Sequence, residues 1–158
     1  MTESDLPTVE CVGDVVHPAY LEDASICAER LQLYPAGCFV LEDGQDIQGY
    51  VVSHPWLFGQ PPRLNTLLER LPAGANTLYI HDVALMRNLR GAGFGTEAVS
   101  HLVHQARGAG LPSVSLVAID GSLSFWRNNG FEIVECDAVR ARLLSYGESS
   151  TFMVQWLS

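Results

Sequence analysis

The run from Leu78 to Ala106, LYIHDVALMRNLRGAGFGTEAVSHLVHQA, constrains the fold more than any other part of the chain. Leu78 to Leu85 is an apolar run of strand length. Met86 to Arg90 is a basic connector. Gly91-Ala92-Gly93-Phe94-Gly95 then places three glycines in five residues. From about Thr96, Val99, Leu102, Val103 and Ala106 recur at helical spacing, with Glu97, Ser100, His101, His104 and Gln105 off that face. Glycines let the backbone curl with its N–H groups pointing one way, and a helix start behind them adds the positive end of its dipole. A strand, glycine turn and helix in this order are suited to hold an anion, most simply a phosphate.

The flanking segments read as smaller elements. Val9, Val12, Val15 and Val16 give Thr8 to Val16 β-type content, so a first strand is expected there. Pro18 suits a helix start, and Ala19 to Leu33 carries helical spacing until Pro35 and Gly37 stop it. Phe39 to Leu41 and Ile47 to Ser53 read as a hairpin around Glu42 to Asp46. Residues 54–77 interrupt the strands, with a short helix expected over Asn65 to Leu71. Such a loop can shape a substrate pocket, and it carries Trp56 and Phe58. Ser113 to Ile119 reads as a strand, Ser122 to Asn129 as a short helix, and Phe131 to Cys136 and Thr151 to Leu157 as two last strands. The linker holding Arg140, Arg142, Tyr146 and Glu148 is ambiguous.

The length of 158 residues fits one domain spanning 1–158, and 47% hydrophobic content supports a folded core. The net charge of −9 argues against nucleic-acid binding and suits a cationic partner. No apolar run is long enough to span a membrane. The acidic N-terminus is unlike a secretory signal, and the four scattered cysteines form no C-x-x-C pair. A cytoplasmic location with reduced thiols is therefore expected.

Arg90-Gly91-Ala92-Gly93-Phe94-Gly95 resembles the acyl-coenzyme A loop, R/Q-x-x-G-x-G/A, of the GNAT superfamily of N-acetyltransferases. A second stretch, Leu116 to Phe131, resembles that family's strand–helix pattern ending F-Y-x-x-x-G-F, with Phe125, Gly130 and Phe131 in place. The resemblance is close over 78–131 and looser upstream. It implies an α+β fold: a mixed, mostly antiparallel sheet flanked by helices, with two central parallel strands splayed around acetyl-CoA. It also implies that Arg90, Gly91, Gly93, Gly95 and Thr96 hold cofactor phosphates, that backbone groups of Val83 and Leu85 meet the pantetheine arm, and that Asp120 and Phe125 contact the cofactor. Arg87 is a second phosphate candidate. The oxyanion donor implied is the backbone N–H near Val83.

One departure stands out. Where the family often has a tyrosine that protonates the departing thiolate, this chain has Trp126. An indole N–H donates hydrogen bonds but is no useful acid. Water, Tyr146 or Tyr79 are the alternatives, or the activity is weak.

Acetyl transfer to an amine needs a base, an oxyanion donor and positioning. His81 is the candidate base. Histidine is the side chain suited to proton relay near neutral pH, and His81 resembles the strand histidine of aralkylamine-type members. Strict alternation puts Tyr79, His81, Val83 and Leu85 on one strand face, so Tyr79 is a candidate to assist, while Asp82 would point away as a structural residue. His101 and His104 lie at i, i+3, but nothing completes a ligand set and no metal is expected. A dinucleotide reading of Gly93-x-Gly95-x-x-Ala98 is opposed by the arginine-bearing connector and the upstream hairpin. A P-loop is opposed by the lack of a Lys-Ser/Thr pair.

The expected activity is acetyl transfer from acetyl-CoA to a primary amine of a small molecule, without a covalent enzyme intermediate. A homodimer is admissible. An acyl-CoA sensor without turnover, or an enzyme acting on a protein or peptide amine, are the competing expectations.

Overall fold

The computed structural model describes all residues except Asp120 and Cys136, together with the side chain of Ala138. The helices are α1 (Leu6–Val16), α2 (Ala24–Leu33), α3 (Phe94–Gly108), α4 (Leu123–Asn128) and α5 (Asp137–Leu143). The strands are β1 (Cys38–Asp43), β2 (Asp46–Trp56), β3 (Thr77–Leu85), β4 (Ser113–Ala118), β5 (Glu132–Ile133) and β6 (Thr151–Trp156). They form one sheet in the order β1-β2-β3-β4-β6-β5. The β3–β4 pair is parallel and every other pair is antiparallel.

Two apolar layers enclose the sheet. On one side Val99, Leu102 and Ala106 of α3 pack on Leu78, Ile80, Val114 and Leu116, all essentially inaccessible to solvent. This is the face read from the helical spacing of α3. On the other side Val9 and Val12 of α1 and Leu31 of α2 cover Tyr50, Val52 and Ala84.

The expected first strand at Thr8 to Val16 is instead helix α1. Val9, Val12 and Val16 sit at i, i+3, i+7, and burial of that stripe outweighs the weak β preference of valine. Pro7 occupies the first turn, where its missing N–H costs nothing. Helix α2 starts at Ala24 rather than Ala19, so residues 17–23 form a non-helical link between the helices that begins with a turn, the Tyr20 N–H donating to His17 O at 2.9 Å. The short helix expected over Asn65 to Leu71 is absent. Asn65 and Glu69 have positive φ (52° and 64°), which no α-helix tolerates.

Two features of β3 set the site. First, its pairing with β4 covers only Leu78↔Val114, Tyr79↔Ser115 and Ile80↔Leu116. Beyond these pairs β3 runs on along β2 to Leu85 and β4 along β6 to Ala118, so a gap opens between them. Second, β3 carries a bulge. Val52 pairs with Asp82 but Ser53 pairs with Ile80, leaving His81 as the extra residue. The bulge shifts the alternation by one. Val83 therefore joins Ile80 on the α3 side, and Asp82 stands with His81 on the α1–α2 side. The expectation that Asp82 points away from His81 is corrected by this bulge.

Candidate active site

A groove of about 660 Å³ runs from the gap between β3 and β4 to the start of α3. Val83 and Leu85 line its strand side, and Arg90, Gly91, Gly93, Gly95 and Thr96 line its loop side. Phe125 and Trp126 of α4 close it from beneath. The glycine loop is shaped for a close-lying ligand. Gly91 and Gly93 have φ of +81° and +94°, and a Cβ built on either would meet open space. Gly93 is the N-cap of α3, and no side chain caps that helix start. Its first N–H groups, which no helix satisfies internally, are left for an anion. Gly95 has a different reason to be small: a Cβ there would lie 3.0 Å from the Phe125 ring. Phe125 thus packs against the turn itself. The exposed Arg90 donates its Nε–H to Leu85 O at 3.1 Å, which aims the guanidinium along the groove edge. These features fit the phosphates and amide-rich arm of an acyl-CoA. Asp120 lies outside the described residues. Gly121, Ser122, Val16 and His17, which the motif did not mark, also line the groove.

Behind the gap lie two adjoining cavities of about 100 and 350 Å³, which share His17, Tyr20, Glu22, His81 and Asp82. Two histidine–carboxylate pairs dominate them. His81, 4% exposed at its side chain, meets Glu22 Oε2 through Nε2 at 2.8 Å. A carboxylate only accepts, so Nε2 carries the hydrogen and Nδ1 keeps its lone pair. Nδ1 is buried without a partner. Burial alone would raise the Glu22 carboxyl, but His81 and the Asn65 amide outweigh it and hold Glu22 below its usual range. The second pair is His17, whose Nε2 lies 3.1 Å from Asp82 Oδ1 and 3.1 Å from Val83 O. Tyr50 donates its hydroxyl hydrogen to Asp82 Oδ2. Burial opposes charge on both members, yet their attraction prevails: His17 is held above its ordinary range and Asp82 below.

Tyr79 lies apart from these cavities. It is 1% exposed, and its hydroxyl meets that of Tyr146 at 3.3 Å, while Tyr146 donates to Pro62 O at 2.8 Å. Burial keeps the Tyr79 phenol well above its usual value and pushes Tyr146 up to about 12. The side chain of Tyr79 is thus buried, with its hydroxyl on Tyr146, and it lines neither cavity.

The larger cavity carries Glu10, Asp14, Glu22, Asp23 and Asp82, and neither Lys nor Arg lines it. Cys27 also lines it, but burial pushes the thiol up to about 12, so it stays protonated and is a poor nucleophile. The loop over the cleft is fastened to main-chain atoms. Glu22 Oε1 accepts the Asn65 N–H at 2.7 Å, and Glu29 accepts those of Leu68 and Glu69 at 2.8 and 2.7 Å. Arg30, fully buried beside Glu29, donates to Thr66 O at 2.8 Å. Among the described residues no group of three or more acidic, histidine or cysteine side chains could hold a metal, and no helix is long and apolar enough to cross a membrane. His101 instead packs edge-on against Phe39.

A sheet splayed at one parallel pair, with a glycine-turn helix start at its mouth, defines an acyl-CoA-dependent transferase fold. The family model described as acetyltransferase (GNAT) family matches residues 9–131. The chain belongs to the GNAT acetyltransferase family and is an acyltransferase of that kind. No curated protein sequence matches it. Solved structures similar to it share the fold at low identity. A GNAT-like decarboxylase, GphF, in complex with isobutyryl-CoA superposes with a TM-score of 0.81 at 16% identity, over 100% of this chain and 97% of its own. The loading GNATL domain of CurA from Lyngbya majuscula gives 0.76 at 13% identity, over 97% and 92%. The NatC complex bound to Gag peptide and CoA gives 0.74 at 12% identity, over 99% and 93%.

Proposed function

We propose that the chain moves an acetyl group from acetyl-CoA to a primary amine of a small molecule by direct attack, with His81 as the base. The observation that carries this reading is the His81–Glu22 pair. Glu22 fixes the tautomer and leaves the buried Nδ1 with a lone pair, on a histidine that lines the cleft adjoining the CoA groove. An amine arrives as an ammonium ion and must lose a proton before it can attack. The carboxylates of the larger cavity favour a cation there. Leu64, beside the anchored stretch 65–69, walls the smaller cavity, which favours a small acceptor over an extended peptide. The protonated Cys27 thiol favours direct transfer over an acyl-enzyme.

The decarboxylase named among the structural neighbours raises a second reaction to weigh. A carboxylated acyl group would need a cationic seat. Among the described residues the two cavities offer histidines already paired with carboxylates, and no Lys or Arg. That charge pattern favours the amine.

The test is an acceptor panel of polyamines, arylalkylamines, amino acids, aminoglycosides and peptide N-termini with acetyl-CoA, following free thiol. Release with a small amine supports the reading. Release only with peptides moves the acceptor to a protein. Tight CoA binding without release with any amine makes the chain a sensor.

A further inference from the structure

We propose that His17 is the proton donor to the departing thiolate, the part that Trp126 does not fill. The inference rests on the transferase reading above.

The cofactor groove and the smaller cavity meet along His17, Val83, Ile119, Ser122 and Trp126. A thiol leaving from the groove, after attack from the cavity, departs beside these residues. Among them only His17 can give up a proton near neutral pH, since an indole N–H and an alcohol cannot. The Ser122 hydroxyl is moreover donated to Ile119 O at 2.7 Å. Tyr146 lines the cavity but not the groove, and its O–H is committed to Pro62.

His17 is also oriented for the task. Both partners of Nε2, the Asp82 carboxylate and the Val83 carbonyl, are acceptors only, so Nε2 carries a hydrogen and the exchangeable site is Nδ1. Asp82 is held by Tyr50, which repeats the logic of a base oriented by a third group. Val83 belongs to the stretch of β3 that has parted from β4, so the ring is pinned where the strands separate. Its side chain is 22% exposed, enough to exchange protons with water. The charges facing it are Asp82 and His81 from β3, Glu22 from the link before α2, Asp14 from its own helix and Arg90 from the loop. Asp82 prevails over burial and Arg90, so the imidazolium persists above the usual histidine range.

The step balances. The ammonium ion first gives one proton to His81, which passes it to solvent; the free amine nitrogen then bonds to the thioester carbonyl carbon, and the second proton it sheds passes to His81. The tetrahedral oxyanion then collapses, the C–S bond breaks, and the sulfur takes the proton from His17 Nδ1. His17 regains a proton from water and His81 returns one.

The experiment measures kcat, KM and their pH dependence for His17→Gln, with acetyl-CoA and the best amine of the panel. Glutamine can still donate to Val83 O. The expected result is a fall in kcat of about 100-fold or more, the range for general acid catalysis. The KM for acetyl-CoA should stay within about threefold, and the basic limb of the kcat profile should disappear. Asp82→Asn, which keeps His17 but removes its counter-charge, should move that limb to lower pH. It serves as the readout should His17→Gln fail to fold. A kcat within about threefold of wild type, an unmoved basic limb in either variant, or an equal loss of CoA affinity by calorimetry overturns the assignment. Absence of thiol release by the wild type with every amine overturns the transferase reading and this assignment together. Release by the wild type, matched by His17→Gln, overturns the assignment alone.

Discussion

Glu22 holds His81 Nε2 at 2.8 Å with one carboxylate oxygen and the Asn65 amide at 2.7 Å with the other. The acid that orients the candidate base therefore also anchors the loop at Asn65. Glu22→Gln should lower kcat about 10- to 100-fold, a range typical of groups that orient a functional histidine. The amide oxygen can still accept the Asn65 hydrogen bond, so the thermal midpoint should fall only by the charge contribution of Glu22 and not by loss of the loop anchor. Steady-state kinetics and a melting curve on the same preparation check both parts.

The paired groups also set a pH window for stability. Glu22 and Asp82 titrate lower in the folded chain than their ordinary values of 4.5 and 3.8. Their contribution is present above those values and is lost as pH falls through the folded ones. His17 titrates above its ordinary 6.5, so its contribution is full below that value and is lost as pH rises through the folded one. The thermal midpoint should thus be highest between about pH 4.5 and 6.5 as far as these groups decide it. Asp82→Asn should flatten the alkaline side of the curve.

Gly93 caps α3 with φ of +94°. Gly93→Val should cost about 1–3 kcal/mol of backbone strain and put a branched side chain into the anion cradle. Calorimetry should show no CoA binding by a chain whose circular dichroism still reports the fold. Normal affinity would mean that the loop does not hold the phosphates.

Gly95→Ala has a different expected mechanism. The new methyl would meet the Phe125 ring at 3.0 Å, tighter than ordinary contact. Loss of stability by Gly95→Ala should shrink when Phe125→Ala is added, and a double-mutant cycle by chemical denaturation would show that coupling.

Tyr79→Phe removes a hydroxyl whose partner is Tyr146. It should cost about 1 kcal/mol of stability and leave kcat nearly unchanged, since Tyr79 opens on neither cavity. A large fall in kcat would restore Tyr79 to the site.

The strand–turn–helix around the glycines was legible because each part carries its own local signal: an apolar run, glycines needing positive φ, and a helical stripe. The β4–α4 unit was legible for the same reason. Less of the N-terminal third was readable. Valine content suggested a strand in α1, although the i, i+3, i+7 spacing of Val9, Val12 and Val16 and the position of Pro7 pointed to a helix. The bulge at His81 has no local mark, because it is decided by register with β2, and it alone puts Asp82 beside His81. The roles of Glu22 and His17 depend on a link between helices that reads as helical in the sequence. Their partners lie 59 and 66 residues away along the chain.

The loop at 64–69 is held mostly through its peptide groups, which two carboxylates and a guanidinium grip, with the Asn65 side chain, bonded to Asp23, as the exception. Every residue type except proline presents the same N–H to Glu22 and Glu29, and every residue type the same carbonyl to Arg30. The identity of the side chains at 64 and 66–68 is therefore largely uncoupled from the placement of the loop, whereas Asn65 and Glu69 sit at positive φ and Asn65 also bonds Asp23. A library randomised at Leu64, with Glu22, Glu29, Arg30 and Asn65 untouched, would vary the one side chain of this stretch that lines the smaller cavity while keeping the loop in position.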